Sequence, residues 1–237
     1  MASPNERARH RSRLLILLSQ GFSHPNEAFH QQLLDGTYQT AVSQAHVGIF
    51  GQIFSLPEVT SSLVDYEALY IELFHIGKNG APIVGLHAGD YSDLLDGQPR
   101  PESMLDYNRW YRHFGLKVSQ TDPSLDLPDH LVCQLQFLAW LSHLEAEVAP
   151  GSNSVVGYQH AQRDFIQRHA EPFVTRVADG LTKARPKSSH EPLFAALGAL
   201  TNTLITHTSQ ELASTLGAPG VPLPEPDVAI PAVEVWS

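Results

Sequence analysis

An all-α fold, a single helical bundle with a proline-rich tail, is what this chain of 237 residues predicts, and three observations predict it. Apolar residues recur at three- and four-residue spacing, as in SSLVDYEALYIELFHIG, where Leu63, Tyr66, Leu69, Tyr70, Leu73 and Phe74 fall on one helical face. The strict alternation of a half-buried strand barely occurs. Helix punctuation is frequent: Ser3-Pro4 forms a cap with proline at the first helical position, and Gly36, Gly77, Gly115 and Gly217 each follow a periodic stretch. The expected division is a helical domain over residues 1–216 and an extended tail over 217–237.

Taken in order, the first helix follows Ser3-Pro4. The Ser23-His24-Pro25 turn leads to a second helix in NEAFHQQLLDG, closed by Gly36. A third, Tyr38 to Phe54, is moderately apolar and is broken before Pro57, and the fourth is the SSLVDYEALYIELFHIG segment, ended by Gly77. Residues 78–100 are rich in Gly, Pro and Asp, with almost no helical pattern, and so long a loop inside a compact domain is often functional. Helix resumes in PESMLDYNRWYRHFGL, opened by Pro101 and closed by Gly115; TDPSLD is a second loop. The segment from Pro128 to Val148 is apolar around most of its circumference, with Gln136, His143 and Glu147 on a narrow polar strip, which predicts the central helix. Two helices with a bend at Pro172 fill Val155 to Ala184, PKSS is a surface connection, and a long helix spans Glu191 to Leu216. The remaining APGVPLPEPDVAIPAVEVWS has too many prolines for a helix.

The formal net charge of −10 argues against a general nucleic-acid binder, which needs basic surface to replace phosphate counterions. Cys133 is the single cysteine, so no intrachain disulfide can form and a reducing compartment fits. Arginines precede Leu14-Leu15-Ile16-Leu17-Leu18, but that apolar core is short and no small-residue cleavage site follows it. A first helix of a cytoplasmic protein, with no stable membrane insertion, is the expectation.

Thirteen histidines invite a metal search, yet no HExxH is present and His160 and His169 are badly spaced for one helix face. Histidines as polar surface or capping groups are the expectation. No GxSxG, phosphate-binding loop or dinucleotide fingerprint occurs, and GKNGAP (77–82) lacks the strand that phosphate binding needs. Neither an enzyme nor a resident cofactor is indicated. The remaining question is Pro128-Asp129-His130. Proline is at home in a first turn, and aspartate there complements the helix dipole. Histidine fits less simply: a helix N-terminus disfavours its protonated form, which leaves a neutral, hydrogen-bonding imidazole.

Three segments carry a resemblance. YEALYIELF, LPDHLVCQLQFLAWLSHLE and AQRDFIQRHAEPFVTRVADGL, in that order along the chain, resemble the motifs of the TorD/DmsD/NarJ family of redox-enzyme maturation chaperones: the aromatic-x-x-Leu-Phe pattern at Tyr70, Leu73 and Phe74, the Pro-Asp-His segment, and Phe165, His169 and Phe173. The likeness spans roughly Leu15 to Leu216. GAPIVGLHAGDYSD resembles the branch serving type II DMSO-reductase-family enzymes, of the ethylbenzene, dimethylsulfide, selenate or chlorate type. Gln134 and Gln136 stand where family members often carry glutamate.

The resemblance implies a cytoplasmic, non-catalytic chaperone, monomeric or weakly dimeric. It would bind the apo catalytic subunit of a molybdoenzyme and its twin-arginine signal peptide, assist molybdenum cofactor insertion and prevent premature export. The implied peptide-binding residues are Tyr70, Leu73 and Phe74 in an apolar groove, Asp90 and Tyr91 on the long loop, and Leu127, Pro128, Asp129 and His130 at its lip. Two alternatives stay open: an accessory protein that binds the molybdenum cofactor or a nucleotide itself, and a structural subunit of the finished enzyme.

Overall fold

Ser3 and Glu6 start the first helix reciprocally. The Ser3 hydroxyl accepts the Glu6 amide at 3.3 Å, and the Glu6 carboxylate accepts the Ser3 amide at 2.7 Å, a capping box. The computed structural model describes residues 3–77, 80–95, 97–117, 127–149, 152–184, 191–216 and 233–234. Nine helices follow in the described residues: α1 (Pro4–Phe22), α2 (Glu27–Leu34), α3 (Thr37–Phe50), α4 (Leu63–Phe74), α5 (Arg100–His113), α6 (Leu131–Glu147), α7 (Asn153–Phe165), α8 (Glu171–Lys183) and α9 (Glu191–Leu216). The all-α bundle expected from periodicity is the fold. Among the described residues no helix is long and apolar enough to cross a membrane.

Helix α6 is central. Within it only Gln136, Trp140, His143, Leu144 and Glu147 reach solvent in part or in full, so the narrow polar strip stands where the sequence puts it. Helix α1 lies along α6 in the most extensive helix pairing, while α3 and α9 flank α1, α7 flanks α6, and α8 packs on α9. Apolar burial on this scale is the main driving force for the fold. Between α1 and α6 a polar knot interrupts the apolar contact. Arg11 pairs with Glu145, both side chains 6% exposed, and its Nε donates to Ser142 at 3.1 Å. Glu145 also accepts from Gln159 and Gln162, each at 2.8 Å, and Arg11 reaches Glu211 at 3.3 Å. Every charge in the knot is met by several donors or acceptors, the condition under which buried ions are tolerated.

Several boundaries differ from the sequence reading, each for a local reason. Gly51, with φ 70°, ends α3 at Phe50 rather than Phe54, since a left-handed residue stops the ladder. Helix α4 ends at Phe74, short of Gly77. Ile166–Ala170 form a π-helical turn between α7 and α8, with Pro172 in the first turn of α8. Without an N–H, Pro172 cannot donate to the preceding turn, and the α-helical ladder is interrupted at that widened turn. The long loop holds two single 3-10 turns, Ala88–Asp90 and Ser92–Leu94. Leu116–Lys117 pair in parallel with Val233–Glu234. The TDPSLD loop, PKSS, Gly217 and the rest of the tail lie outside the described residues.

Candidate functional site

The long loop folds back onto the start of α6. The Ala88 amide donates to the Asp129 carbonyl at 3.1 Å and the Leu131 amide to the Leu86 carbonyl at 2.8 Å, so His87 and His130 sit opposite each other in an antiparallel bridge. Helix α5 holds the junction from the other side: the Tyr111 hydroxyl donates to the Pro128 carbonyl at 2.7 Å. Gln134, one turn into α6, donates to the Asp129 carbonyl at 3.0 Å.

Helix α6 begins at Leu131, not at Pro128, and His130 is its N-cap. The His130 Nδ1 accepts the Val132 amide at 3.2 Å, an imidazole in the place usually taken by a Ser or Asp oxygen. Pro128 and Asp129 form the turn before it. Burial drives the His130 pKa down to about 3, and the facing His87 adds to this against the opposing pull of Asp129. The ring is neutral, as its cap role requires.

Asp129 is the hub. Its side chain is 1% exposed and meets three partners: the Gly89 amide at 2.9 Å, His87 Nδ1 at 3.3 Å and Arg100 Nη2 at 3.4 Å. Burial works against its ionisation. The hydrogen bonds from His87 and Gly89 and the charges of His87 and Arg100 outweigh it and hold the pKa below the usual carboxylate value. Arg100 also reaches Asp90 Oδ1 at 3.3 Å, bridging the two acids.

The structure therefore brings Asp90, Asp129 and His130 together, with Leu127 exposed and Pro128 half-buried beside them. Tyr91 lies on the same loop, its hydroxyl bonded to the Gly85 carbonyl at 3.0 Å and its ring against Phe173. Tyr70, Leu73 and Phe74 take a different position from the expected groove wall. All three are core. Phe74 packs edge-on against Phe22 and Phe194, and the Tyr70 hydroxyl donates to the Phe22 carbonyl at 3.0 Å. Helices α1 and α9 supply those partners, so the face of α4 that carries the motif is filled from inside the protein. Outward α4 exposes Val64 at its start and Ile71 near its end, and Ile76 and Ile83 follow beyond the helix, all exposed. The Leu73 carbonyl accepts the Val84 amide at 2.9 Å, tying that loop to the helix end.

His87, Gly89 and Arg100 were not among the sequence candidates. Arg100 carried one usable signal: a cation at the first residue of a helix is on the wrong side of the dipole, and such a residue needs a carboxylate nearby.

A concavity of about 280 Å³ opens beside the hub between the long loop, α5 and the π turn, lined by Leu94, Gln98, Ser103, Asp106, Tyr107 and His169, among others. His169 Nε2 lies 3.1 Å from Asp106. Burial holds the His169 pKa down at about 4, Asp106 opposing and Arg168 reinforcing the shift. Among the described residues no group of histidine, cysteine and acidic side chains is placed to hold a metal ion. Two residues of GKNGAP, Lys78 and Asn79, lie outside the described residues.

A model of the nitrate reductase delta subunit family matches residues 19–179, which contain the whole junction. The dimethyl sulfide dehydrogenase assembly chaperone protein of Rhodovulum sulfidophilum is 40% identical over 199 residues, 84% of this chain and 78% of that protein. The perchlorate reductase assembly chaperone protein of Dechloromonas aromatica is 31% identical over 167 residues, 67% of this chain and 72% of that protein. The chlorate reductase assembly chaperone protein of Ideonella dechloratans is 31% identical over 179 residues, 67% of this chain and 84% of that protein. No solved structure matches the chain.

Proposed function

The chain belongs to the nitrate reductase delta subunit family, the TorD/DmsD/NarJ group of non-catalytic chaperones for DMSO-reductase-family molybdoenzymes, and we propose that it receives the twin-arginine leader of one such catalytic subunit at the Asp129 junction. In this reading it works in the cytoplasm as a monomer or weak dimer. It holds the apo subunit while the molybdenum cofactor is inserted and delays export until then. The client is a type II enzyme; the likeness to the assembly chaperone for dimethyl sulfide dehydrogenase supports that branch.

The observation that carries the reading is chemical. Asp129 and Asp90 already hold a guanidinium group, that of Arg100, so the junction is built to take arginine. Exposed Leu127 beside the junction, and exposed Ile71, Ile76 and Ile83 at the end of α4 and the chain that leads from it into the long loop, offer apolar surface to the leader's hydrophobic stretch. Asp129 would supply the charge, and His130 would fix the loop against α6. Tyr70, Leu73 and Phe74 would act from behind, by setting the end of α4. Titration of a twin-arginine leader peptide into the wild-type chain, Asp129→Ala and His130→Ala tests this. Binding that is weakened at least tenfold in Asp129→Ala supports it; two variants that bind as wild type does overturn it.

A second reading, direct handling of the molybdenum cofactor or a nucleotide, draws on the polar cavity at His169 and Asp106. Calorimetry with GTP and with molybdopterin, no peptide present, separates the two. Tight binding abolished by His169→Ala favours the second.

A further inference from the structure

We infer that Arg100 is a built-in occupant of a guanidinium seat formed by Asp90, Asp129 and the Gly89 backbone, and that an arginine of the client takes this seat by displacing it. The inference rests on the reading that the junction receives a basic leader, and it adds an intramolecular competitor to it. Four features describe a seat that is made for guanidinium and loosely filled. Arg100 approaches its two carboxylates at 3.3 and 3.4 Å, at the long end for a charge-assisted bond. Its Nε is buried with no hydrogen-bond partner. It is the first residue of α5, where the helix dipole disfavours a cation. Its side chain is 35% exposed while the Asp129 side chain it contacts is 1% exposed, so Arg100 reaches solvent where the carboxylate does not.

Gly89 gives the seat its shape. A Cβ at this position would stand 2.5 Å from Arg100 Nε and 2.8 Å from its Cδ, too close for the side chain to lie where it does. The Gly89 amide and His87 remain on Asp129 when Arg100 leaves. The carboxylate is therefore not stranded during the exchange, which keeps the barrier to displacement low.

The test uses the full chain with two fluorescent probes, a twin-arginine leader peptide and the short acetyl-Arg-Arg-amide. Arg100→Gln is expected to tighten binding of both about fivefold, the factor that one part-exposed ion pair corresponds to. In an Asp129→Asn background the same substitution is expected to change neither. Arg100→Met, which keeps the aliphatic packing over Gly89, is the second variant should the first fail to fold. Unchanged or weaker binding of both probes by a folded Arg100 variant overturns the seat. If the leader binds no form of the chain while acetyl-Arg-Arg-amide binds the Arg100 variants through Asp129, the seat stands and the leader reading falls.

Discussion

Replacing Asp129 by asparagine is expected to destabilise the chain measurably, and the structure sets the size of the effect. The Gly89 amide at 2.9 Å still finds an acceptor in the asparagine side chain, so that hydrogen bond persists without its charge. The contacts to His87 at 3.3 Å and Arg100 at 3.4 Å lose their electrostatic basis. A hydrogen bond to a charged group is worth about 1.5–3 kcal/mol. Arg100 is 35% exposed and its bond long, so solvent screening reduces its part to less than about 1 kcal/mol. Together these give a loss of about 2 kcal/mol, which for a chain of this size lowers Tm by about 4–8 °C.

The assay is urea denaturation and thermal melting of both forms across pH. Against the opposing effect of burial, contacts with His87, Gly89 and Arg100 hold the folded-state pKa of Asp129 below the ordinary aspartate value of about 3.9. Its stabilisation is therefore fully present above that value and is lost as pH falls through the folded pKa. The gap between wild type and variant is expected to be constant from neutral pH down to the ordinary carboxylate range and to close below it. A variant melting within about 1 °C of wild type at pH 7, less than the shift for 1 kcal/mol, refutes the idea that this carboxylate organises the junction.

Other expectations follow from the same geometry. His130→Ala removes the α6 cap and costs about 1 kcal/mol, whereas His130→Asn keeps an acceptor for the Val132 amide and stays near wild type in urea denaturation at neutral pH. Because the His130 pKa is pushed down to about 3 from 6.5, the unfolded chain binds a proton between those values that the folded chain refuses. Stability contributed by this residue thus falls as pH drops below 6.5, by about 1 kcal/mol on going from pH 7.5 to 5.5, and the His130→Asn profile is flatter over that range. Arg11→Ala leaves the Glu145 carboxylate buried without its counter-charge and costs about 3–5 kcal/mol. Pairing Arg11→Met with Glu145→Gln recovers most of that loss, and strict additivity in a double-mutant cycle would show the knot is uncoupled.

What the sequence made legible was local. The Ser3-Pro4 helix start, the polar strip of α6 and the interruption near Pro172 all depend on residues within a few positions of one another, and each appears where expected. Its failures are long-range. The spacing of Tyr70, Leu73 and Phe74 marks a buried face of α4 but cannot say against what, and Phe22 and Phe194 fill it from distant helices. Glu145 looks like a misplaced charge in an apolar helix until Arg11, 134 residues earlier, is brought beside it. The junction was half visible: the Pro-Asp-His motif singled out Asp129 and His130, while His87 and Arg100 join them only because the long loop and α5 fold back onto α6. The contact between Asp129 and Arg100 has no sequence signature beyond a cation at a helix start.

If this chain matures a molybdoenzyme, the molybdenum content of the client's catalytic subunit must depend on it, and that content can be measured in cells lacking the chain. The subunit is expected to accumulate without cofactor and to regain it when the wild-type chain, but not Asp129→Ala, is restored. A subunit fully loaded with molybdenum in the absence of the chain would contradict it.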